Sequence, residues 1–89
     1  MENNIFYSPR FLKRLEKLPQ EIIDLANEKV KIFEKNPWHP SLRIHPLKGE
    51  LKGYWSISIS KQYRLIFSHK ENGDTLFLSI GKHDIYKNL

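Results

Sequence analysis

The spacing of the apolar residues changes midway along this chain, and that change constrains the fold more than any other feature. In the first part, apolar residues recur at i, i+4, i+8 and i+11, in Ile22, Ala26, Val30 and Phe33. In the second part, they alternate with polar residues or form short β-prone runs. The pattern therefore predicts a helical half followed by a strand half.

A helix start signal opens the helical half. Ser8 can accept a hydrogen bond from an N–H group of the first turn, and Pro9 suits the first helical position because it has no N–H. The apolar residues that follow share one predicted helix face: Phe11, Leu12, Leu15 and Leu18. Pro19 ends this helix and opens a second, which residues 36–40 stop. Two helices joined by a tight turn form a helical hairpin.

Two predicted strands lie at the start of the second half. Residues 54–60 alternate strictly, with apolar side chains on one face and serines on the other. Residues 62–68 are apolar on both faces, as expected of a central strand. Between these strands, Lys61 and Gln62 form the predicted turn.

The remaining strand signals complete a β-α-α-β-β-β order. Asn72 and Gly73 lie between two apolar runs and predict a tight hairpin, which leads into a last strand at 75–80. Residues 5–7 are a short β-prone run that must join the sheet from a distance in sequence. We therefore expect one α+β domain, residues 1–89. In it, a helical hairpin covers one face of a small antiparallel-meander sheet and leaves the other face partly open.

Composition limits what such a domain can do. The 89 residues include 15 Lys and Arg against 10 Asp and Glu, a net charge of +5 that favours a polyanionic partner. A chain of this size has no room to bury a cofactor, so we expect none. The absence of cysteine excludes a disulfide scaffold and fits the cytoplasm. Residues 1–4 lack a signal-peptide pattern, and no apolar run is long enough to span a membrane.

Two segments carry cationic groups suited to phosphate. The loop 45–53 contains Lys48 and Lys52 between two glycines, although a solvated loop would have the same composition. Arg64 lies within an apolar strand, where a charge is costly unless it is paired or faces a solvated site. It either pairs with a carboxylate such as Asp84 or binds a phosphate through two parallel hydrogen bonds. Both interpretations stay open.

A third segment, residues 81–87, brings together titratable groups just after the last strand. His83 is suited to proton transfer near neutral pH, and Asp84 can orient it. Tyr86 is suited to bonding a phosphate or stacking on a base, and Lys82 adds positive charge. A purely structural role is the alternative for the histidine. Aromatic rings such as that of Tyr63 suit stacking on single-stranded RNA.

The missing motifs restrict the mechanism. The histidines have no spacing typical of a zinc site, and no carboxylate cluster is present that would hold two magnesium ions. A nuclease of this composition would therefore work without a metal. The 2′-OH of RNA would attack the adjacent phosphate, with the protein supplying an acid, a base and fixed positive charge.

The chain resembles the RelE/ParE superfamily of bacterial type II toxin–antitoxin toxins. Four segments carry the resemblance: Phe-Tyr-Ser-Pro-Arg-Phe at 6–11, His-Pro-Leu-Lys-Gly-Glu-Leu-Lys-Gly-Tyr-Trp at 45–55, Ser-Lys-Gln-Tyr-Arg-Leu-Ile-Phe at 60–67 and Ile-Gly-Lys-His-Asp-Ile-Tyr at 80–86. The YafQ-like branch is the most similar, through His-Pro-Leu-Lys-Gly at 45–49 and the Gly-x-His motif at 81–83. Members of that branch are ribosome-dependent mRNA endonucleases that use histidines without a metal.

The resemblance implies a role for each matching residue. The residues implied to be catalytic are His83 as principal acid or base, His45 as a second proton-transfer or RNA-positioning group, Arg64 as a phosphate contact, and Tyr86, which falls near the terminal aromatic of the family. The residues expected to bind RNA or its phosphates are Lys48, Lys52, Tyr63 and Lys82. The chain departs from the branch at Ser58, Gln62 and Ser79, where the branch has a His, an Asp and a basic residue.

The leading hypothesis is therefore a cytoplasmic toxin that cleaves mRNA, on the ribosome by analogy with that branch. Its expected partners are an antitoxin that masks the site with an acidic, amphipathic segment, and operator DNA only through that antitoxin. A ParE-type inhibitor of DNA gyrase is an alternative, because the same fold serves both functions. An inactive relative that acts only in the antitoxin complex is a third.

Overall fold

Two helices packed on a five-stranded mixed sheet make up residues 4–82 and 85–86, which the computed structural model describes. The elements in chain order are β1 (Ile5–Tyr7), α1 (Pro9–Glu16), α2 (Gln20–Lys35), β2 (His45–Pro46), β3 (Tyr54–Ser58), β4 (Arg64–His69) and β5 (Thr75–Gly81). The strands lie in the order β1-β5-β4-β3-β2. The predicted α+β class and its helical hairpin are confirmed.

The sheet has the predicted antiparallel meander at its centre, formed by β3, β4 and β5. The first strand joins it from a distance, since β1 pairs with β5 in parallel. The hairpin at Asn72 and Gly73 also forms as predicted: Lys70 N donates to Asp74 O at 2.8 Å. Gly73 has a φ of 92°, which glycine adopts without the steric cost of a Cβ atom.

The start of α1 is fastened to the sheet by Ser8. Its hydroxyl accepts from Phe11 N at 3.0 Å, as a helix cap, and donates to Leu78 O at 2.9 Å. The predicted apolar face of the helix was too wide, because Leu12 is 51% exposed. At about 100° per residue, Leu12 is rotated away from the stripe that Phe11 and Leu15 share.

The core lies between α2 and the sheet. The ring of Phe33, from the predicted stripe of α2, is 5.0 Å from that of Phe67 and 5.7 Å from that of Phe77. Leu65 and Phe67 of β4 belong to this core, and both are fully buried. Because side chains alternate along a strand, Arg64 at the start of β4 points away from the helices.

The segment between α2 and β3 is more ordered than the predicted loop. It contains two short 3₁₀ turns, Pro40–Leu42 and Gly49–Leu51, and the two-residue strand β2. Leu42 is completely buried and anchors the segment to the core. Pairing of β2 with β3 places His45 opposite Ser56. The sequence did not predict this order, because a single buried leucine and a two-residue strand produce no periodic pattern of apolar residues.

Candidate functional site

Four of the predicted site residues line one open cavity near the end of the sheet where β4 begins. The cavity has a volume of about 430 Å³ and is lined by His45, Leu47, Lys48, Leu51, Arg64 and Tyr86. These residues come from β2, the loop after it, β4 and the turn after β5. The fold thus brings together groups from distant parts of the chain. The two leucines were not predicted, and their spacing on either side of Lys48 and Gly49 is the only sequence signal for them.

Arg64 is held by the turn between β3 and β4. Its Nη1 donates to Ser60 O at 2.6 Å and to Tyr63 O at 3.1 Å. Longer bonds run to Lys61 O and to the Ser58 hydroxyl, both at 3.3 Å. These acceptors are neutral, so they orient the guanidinium without cancelling its charge.

The orientation of Arg64 determines which of its groups can bind a ligand. Within residues 4–82 and 85–86, the hydrogen bonds of Arg64 use Nη1. A guanidinium also carries N–H groups on Nη2 and Nε, which form a planar edge suited to two parallel bonds with a phosphate. The alternative partner, Asp84, lies outside the described residues.

The ring of His45 is exposed at the rim of the cavity. Its Nδ1 is 3.3 Å from Arg43 O. A carbonyl oxygen can only accept a hydrogen bond, so this contact requires the proton on Nδ1. In the neutral ring, Nε2 then keeps its lone pair and can accept a proton.

The loop after β2 supplies the second cation of the cavity. Leu47 N donates to Tyr54 O at 2.9 Å, which continues the pairing with β3 and fixes the start of the loop. Lys48 follows, is exposed and lines the cavity. Gly49 then turns the chain with a φ of 66°. Lys52, at the end of this turn, is exposed but does not line the cavity.

Two other predicted RNA-binding residues lie outside this cavity. Tyr63 and Lys82 line a neighbouring concavity of about 270 Å³, in which Lys82 Nζ is 5.8 Å from the centre of the Tyr63 ring. Tyr63 is half-buried against the core, whereas Arg64, the next residue, points to the other side. Tyr63 therefore lines a different concavity from Arg64, and its predicted role in RNA binding stays a prediction.

His83, the predicted principal acid or base, lies outside the described residues, as does Asp84. Its role stays a prediction from the sequence.

The three departures from the YafQ-like pattern lie in different surroundings. The Ser58 hydroxyl donates to Ser60 O at 3.0 Å and accepts from Arg64, so it supports the site. Gln62 is exposed in the turn, and Ser79 is completely buried in β5. Of the three, Ser58 is the one with a described contact to a residue of the cavity.

The described part of the chain contains no group of three or more His, Cys, Asp or Glu residues close enough to hold a metal ion. Neither helix there has the length and apolar character needed to cross a membrane.

A protein-family comparison identifies the fold family. The family described as RelE-like toxin of type II toxin-antitoxin system HigB matches residues 8–83. The chain belongs to this family. The predicted resemblance to RelE/ParE toxins is thereby confirmed, and the protein is a toxin of a type II toxin–antitoxin system.

Two curated relatives carry the HigB name. Endoribonuclease HigB of Proteus vulgaris is 30% identical over 67 residues, which cover 70% of this chain and 72% of the relative. Toxin HigB-1 of Vibrio cholerae serotype O1 is 39% identical over 61 residues, 62% of this chain and 64% of the relative. These matches support the family assignment.

Solved structures of similar fold include YafQ. YafQ from E. coli has a TM-score of 0.79 at 19% identity, with 96% of this chain and 98% of that chain covered. The toxin–antitoxin complex RelBE2 from Mycobacterium tuberculosis matches with a TM-score of 0.75 at 20% identity, covering 93% of this chain and 100% of that chain. At such identities, the similarity shows the fold alone.

Proposed function

We propose that this toxin is a metal-independent endoribonuclease that cleaves mRNA in the cavity at the start of β4. The observation that carries the proposal is the convergence of His45, Lys48, Arg64 and Tyr86 on that cavity. A relative with the name Endoribonuclease HigB supports the reaction class. The cavity combines an imidazole, two cations and a phenol. These groups suit the cleavage of a phosphodiester, because the imidazole can transfer protons and the cations can stabilise negative charge on the phosphate.

The proposed reaction uses the 2′-OH of the RNA as the nucleophile. A base removes the 2′ proton as the 2′ oxygen bonds to phosphorus, and the bond from phosphorus to the 5′ oxygen breaks. An acid gives a proton to the departing 5′ oxygen. The products are a 2′,3′-cyclic phosphate and a 5′-OH end, and no cofactor takes part.

Each residue of the cavity has a role in this reaction. His45 acts as one proton-transfer group through Nε2, and His83, on sequence grounds, is the other. Arg64 binds the scissile phosphate through its free edge and stabilises the charge that develops there. Lys48 adds electrostatic attraction, and Tyr86 positions the RNA beside the phosphate.

The proposed setting follows from the family. In a type II system, the toxin is paired with an antitoxin protein, and structural neighbours such as YoeB–YefM from Staphylococcus aureus are complexes of that kind. The substrate is mRNA on the ribosome, and the site of action is the cytoplasm. Contact with operator DNA occurs only through the antitoxin.

Mapping of mRNA 5′ ends after induced expression tests this function. Wild-type toxin should create new 5′ ends, and Arg64→Gln should abolish them. Substitution of His69→Gln, at the opposite end of the same strand, serves as the control and should leave the ends in place. Growth arrest without new ends would contradict the nuclease proposal, and inhibition of gyrase supercoiling in that case would favour the ParE-type alternative.

A further inference from the structure

Four cations of α1 and its cap lie on one helix face, away from the cavity described above. Arg10, Lys13, Arg14 and Lys17 are spaced i, i+3, i+4 and i+7, which places them side by side on a helix. Within the described part of the chain, these four residues alone line a concavity of about 420 Å³. We call this surface the α1 basic face.

The α1 basic face concentrates charge of one sign. Its four positive charges are four of the 15 Lys and Arg residues of the chain, and the concavity has no carboxylate among its described lining residues. The helix has no acidic residue in its first turn. Glu16, near its end, lies about 120° around the helix from Arg10 and borders the face at Lys13. By contrast, α2 mixes acidic and basic residues along its length.

The α1 basic face continues towards the proposed active site. Arg14 and Lys17 also line the 270 Å³ concavity that holds Tyr63 and Lys82. Tyr63 belongs to that concavity, and its chain neighbour Arg64 belongs to the cavity at the start of β4.

A second pair of adjacent residues makes the same link. Ile85 lines the concavity with Lys82, and Tyr86 lines the cavity with Arg64. The two sites are therefore neighbours around the end of the sheet. A linear polymer that extends from the cavity towards α1 would cross this end of the sheet.

The chemistry of this surface fits phosphate more closely than it fits protein. Protein interfaces depend on aromatic, apolar and arginine anchors at their centre and are depleted in lysine. The concavity has two arginines but no aromatic or apolar anchor, and its other two lining residues are lysines. From Arg10 to Lys17 the helix rises roughly 10 Å, at 1.5 Å per residue, so its four cations can contact more than one phosphate of a strand.

We propose that the α1 basic face, extended by Lys82 and Tyr63, binds the phosphate backbone of RNA outside the segment that is cut. This inference rests on the proposed function only in taking RNA as the substrate. Binding here is independent of base identity, because the contacts go to phosphates. The surface therefore holds the RNA on the toxin, while the cavity at Arg64 carries out cleavage.

A matched pair of charge-removing variants tests the proposal. The test variant is Lys13→Gln with Lys17→Gln, and the control is Lys31→Gln with Lys35→Gln on α2. Both pairs are exposed and four residues apart, and both remove two charges. Equal melting temperatures of the two variants establish that both fold.

The binding probe is a 20-nucleotide RNA with a 2′-O-methyl group on every sugar, which lacks the nucleophile for cleavage. Its affinity is measured as a function of KCl concentration. The test variant should bind about tenfold more weakly near 0.1 M salt. Its slope of log affinity against log salt should be shallower by about 1.4, since each lost contact to a single strand removes about 0.7. The control should stay within twofold of wild type.

Two results would overturn the inference: an unchanged RNA affinity of the test variant, or an equal loss of affinity in the control. If RNA affinity is unchanged and binding of the test variant to poly-L-glutamate is lost, the face binds an acidic protein instead. If the test variant loses affinity but wild-type toxin cuts no unmodified RNA, the proposed function fails and this inference stands.

Discussion

Strand β4 has a cavity at each end, and a histidine lines each of them. At the Arg64 end, the cavity of about 430 Å³ contains His45 and two cations. At the His69 end, a larger cavity of about 480 Å³ is lined by residues that include Tyr7, Glu34 and His69. Size alone would favour the His69 end as a functional site. The charges and contacts of the side chains favour the Arg64 end.

The two histidines differ in how tightly the fold holds them. His69 packs edge-on against Phe67 at 5.2 Å and Trp55 at 6.2 Å, and its Nδ1 is 3.2 Å from the Thr75 hydroxyl. His45 is exposed, as His69 is, but it has one described hydrogen bond, to a backbone carbonyl, and no described ring contact. The first is typical of a structural histidine and the second of one that can exchange protons with a ligand.

The charges around the two cavities differ in the same direction. Glu34 lines the larger cavity, where its carboxylate repels a phosphate group. Lys48 and Arg64 line the smaller one and attract it. The comparison therefore assigns phosphate chemistry to one end of the strand and packing to the other.

The largest effect is expected from Arg64→Gln. Loss of the guanidinium removes the group that stabilises the developing charge, and cleavage should fall by roughly 10³-fold in single-turnover assays. Arg64→Lys, which keeps the charge but loses the planar edge, should recover only a small part of the rate. If Arg64→Gln cleaved RNA at a rate within tenfold of wild type, the assignment of the cleavage reaction to the Arg64 end of β4 would be wrong.

A smaller effect is expected from His45→Gln, at about 10²-fold, because general acid–base groups contribute on that scale. The matched variant His69→Gln should cleave within twofold of wild type but lower the free energy of unfolding by about 1 kcal/mol, through loss of its ring contacts and hydrogen bond. Urea denaturation measures the second effect. The comparison would be wrong if His69→Gln slowed cleavage and His45→Gln lowered the free energy of unfolding instead.

Between the two ends, a pair of serines flanks the middle of β4. Ser56 and Ser79 both pair with Ile66, and both are completely buried with no hydrogen-bond partner for the hydroxyl among the described residues. Since a buried, unpaired hydroxyl costs free energy, replacement with alanine should leave stability unchanged or raise it by up to about 1 kcal/mol. Destabilisation of more than 1 kcal/mol would mean that these hydroxyls have partners.

The smallest effect concerns Tyr7 at the His69 end. Burial, and then the negative charge of Glu34, raises the pKa of Tyr7 above its ordinary value. The unfolded chain therefore loses this proton first as pH rises through about 10, and the folded chain holds it longer. The stabilisation is complete below that pH and is lost above it.

Tyr7→Phe tests this pH dependence. The free energy of unfolding of wild type should fall more steeply above pH 10 than that of the variant, as measured by urea titration at several pH values. Identical slopes would show that Glu34 and burial have no influence on this phenol.

The fold was predictable from the sequence wherever a local signal existed. The cap at Ser8, the stripe of α2 and the hairpin at Gly73 each correspond to a known backbone requirement, and all three are confirmed. The short strand β2 was not predicted, because a two-residue pairing has no period to detect. Leu12 was wrongly predicted to be on the buried face of α1, because the helix face inferred from residue spacing is wider than the strip that packs against the sheet.

The types of residue in the site were predictable from the sequence, but their arrangement in space was not. The sequence favoured Arg64 and His45 for their chemistry, and the fold brings them to one cavity. It also predicted an RNA-binding role for Tyr63, which directly precedes β4 and lines the neighbouring concavity instead of this cavity. In the sequence, the α1 basic face is visible only as the helical spacing of its four cations. Its meaning depends on the concavity that the packed fold creates.

The most direct test of the proposed reaction is the cleavage of an mRNA that carries one 2′-deoxy nucleotide at a mapped cleavage position, in the presence of ribosomes. Removal of that single 2′-OH should abolish cutting at the modified position, while cutting continues at unmodified positions. The unmodified control should yield a 2′,3′-cyclic phosphate and a 5′-OH end. Continued cleavage at the deoxy position would contradict attack by the 2′-OH and with it the metal-independent mechanism proposed for the Arg64 cavity.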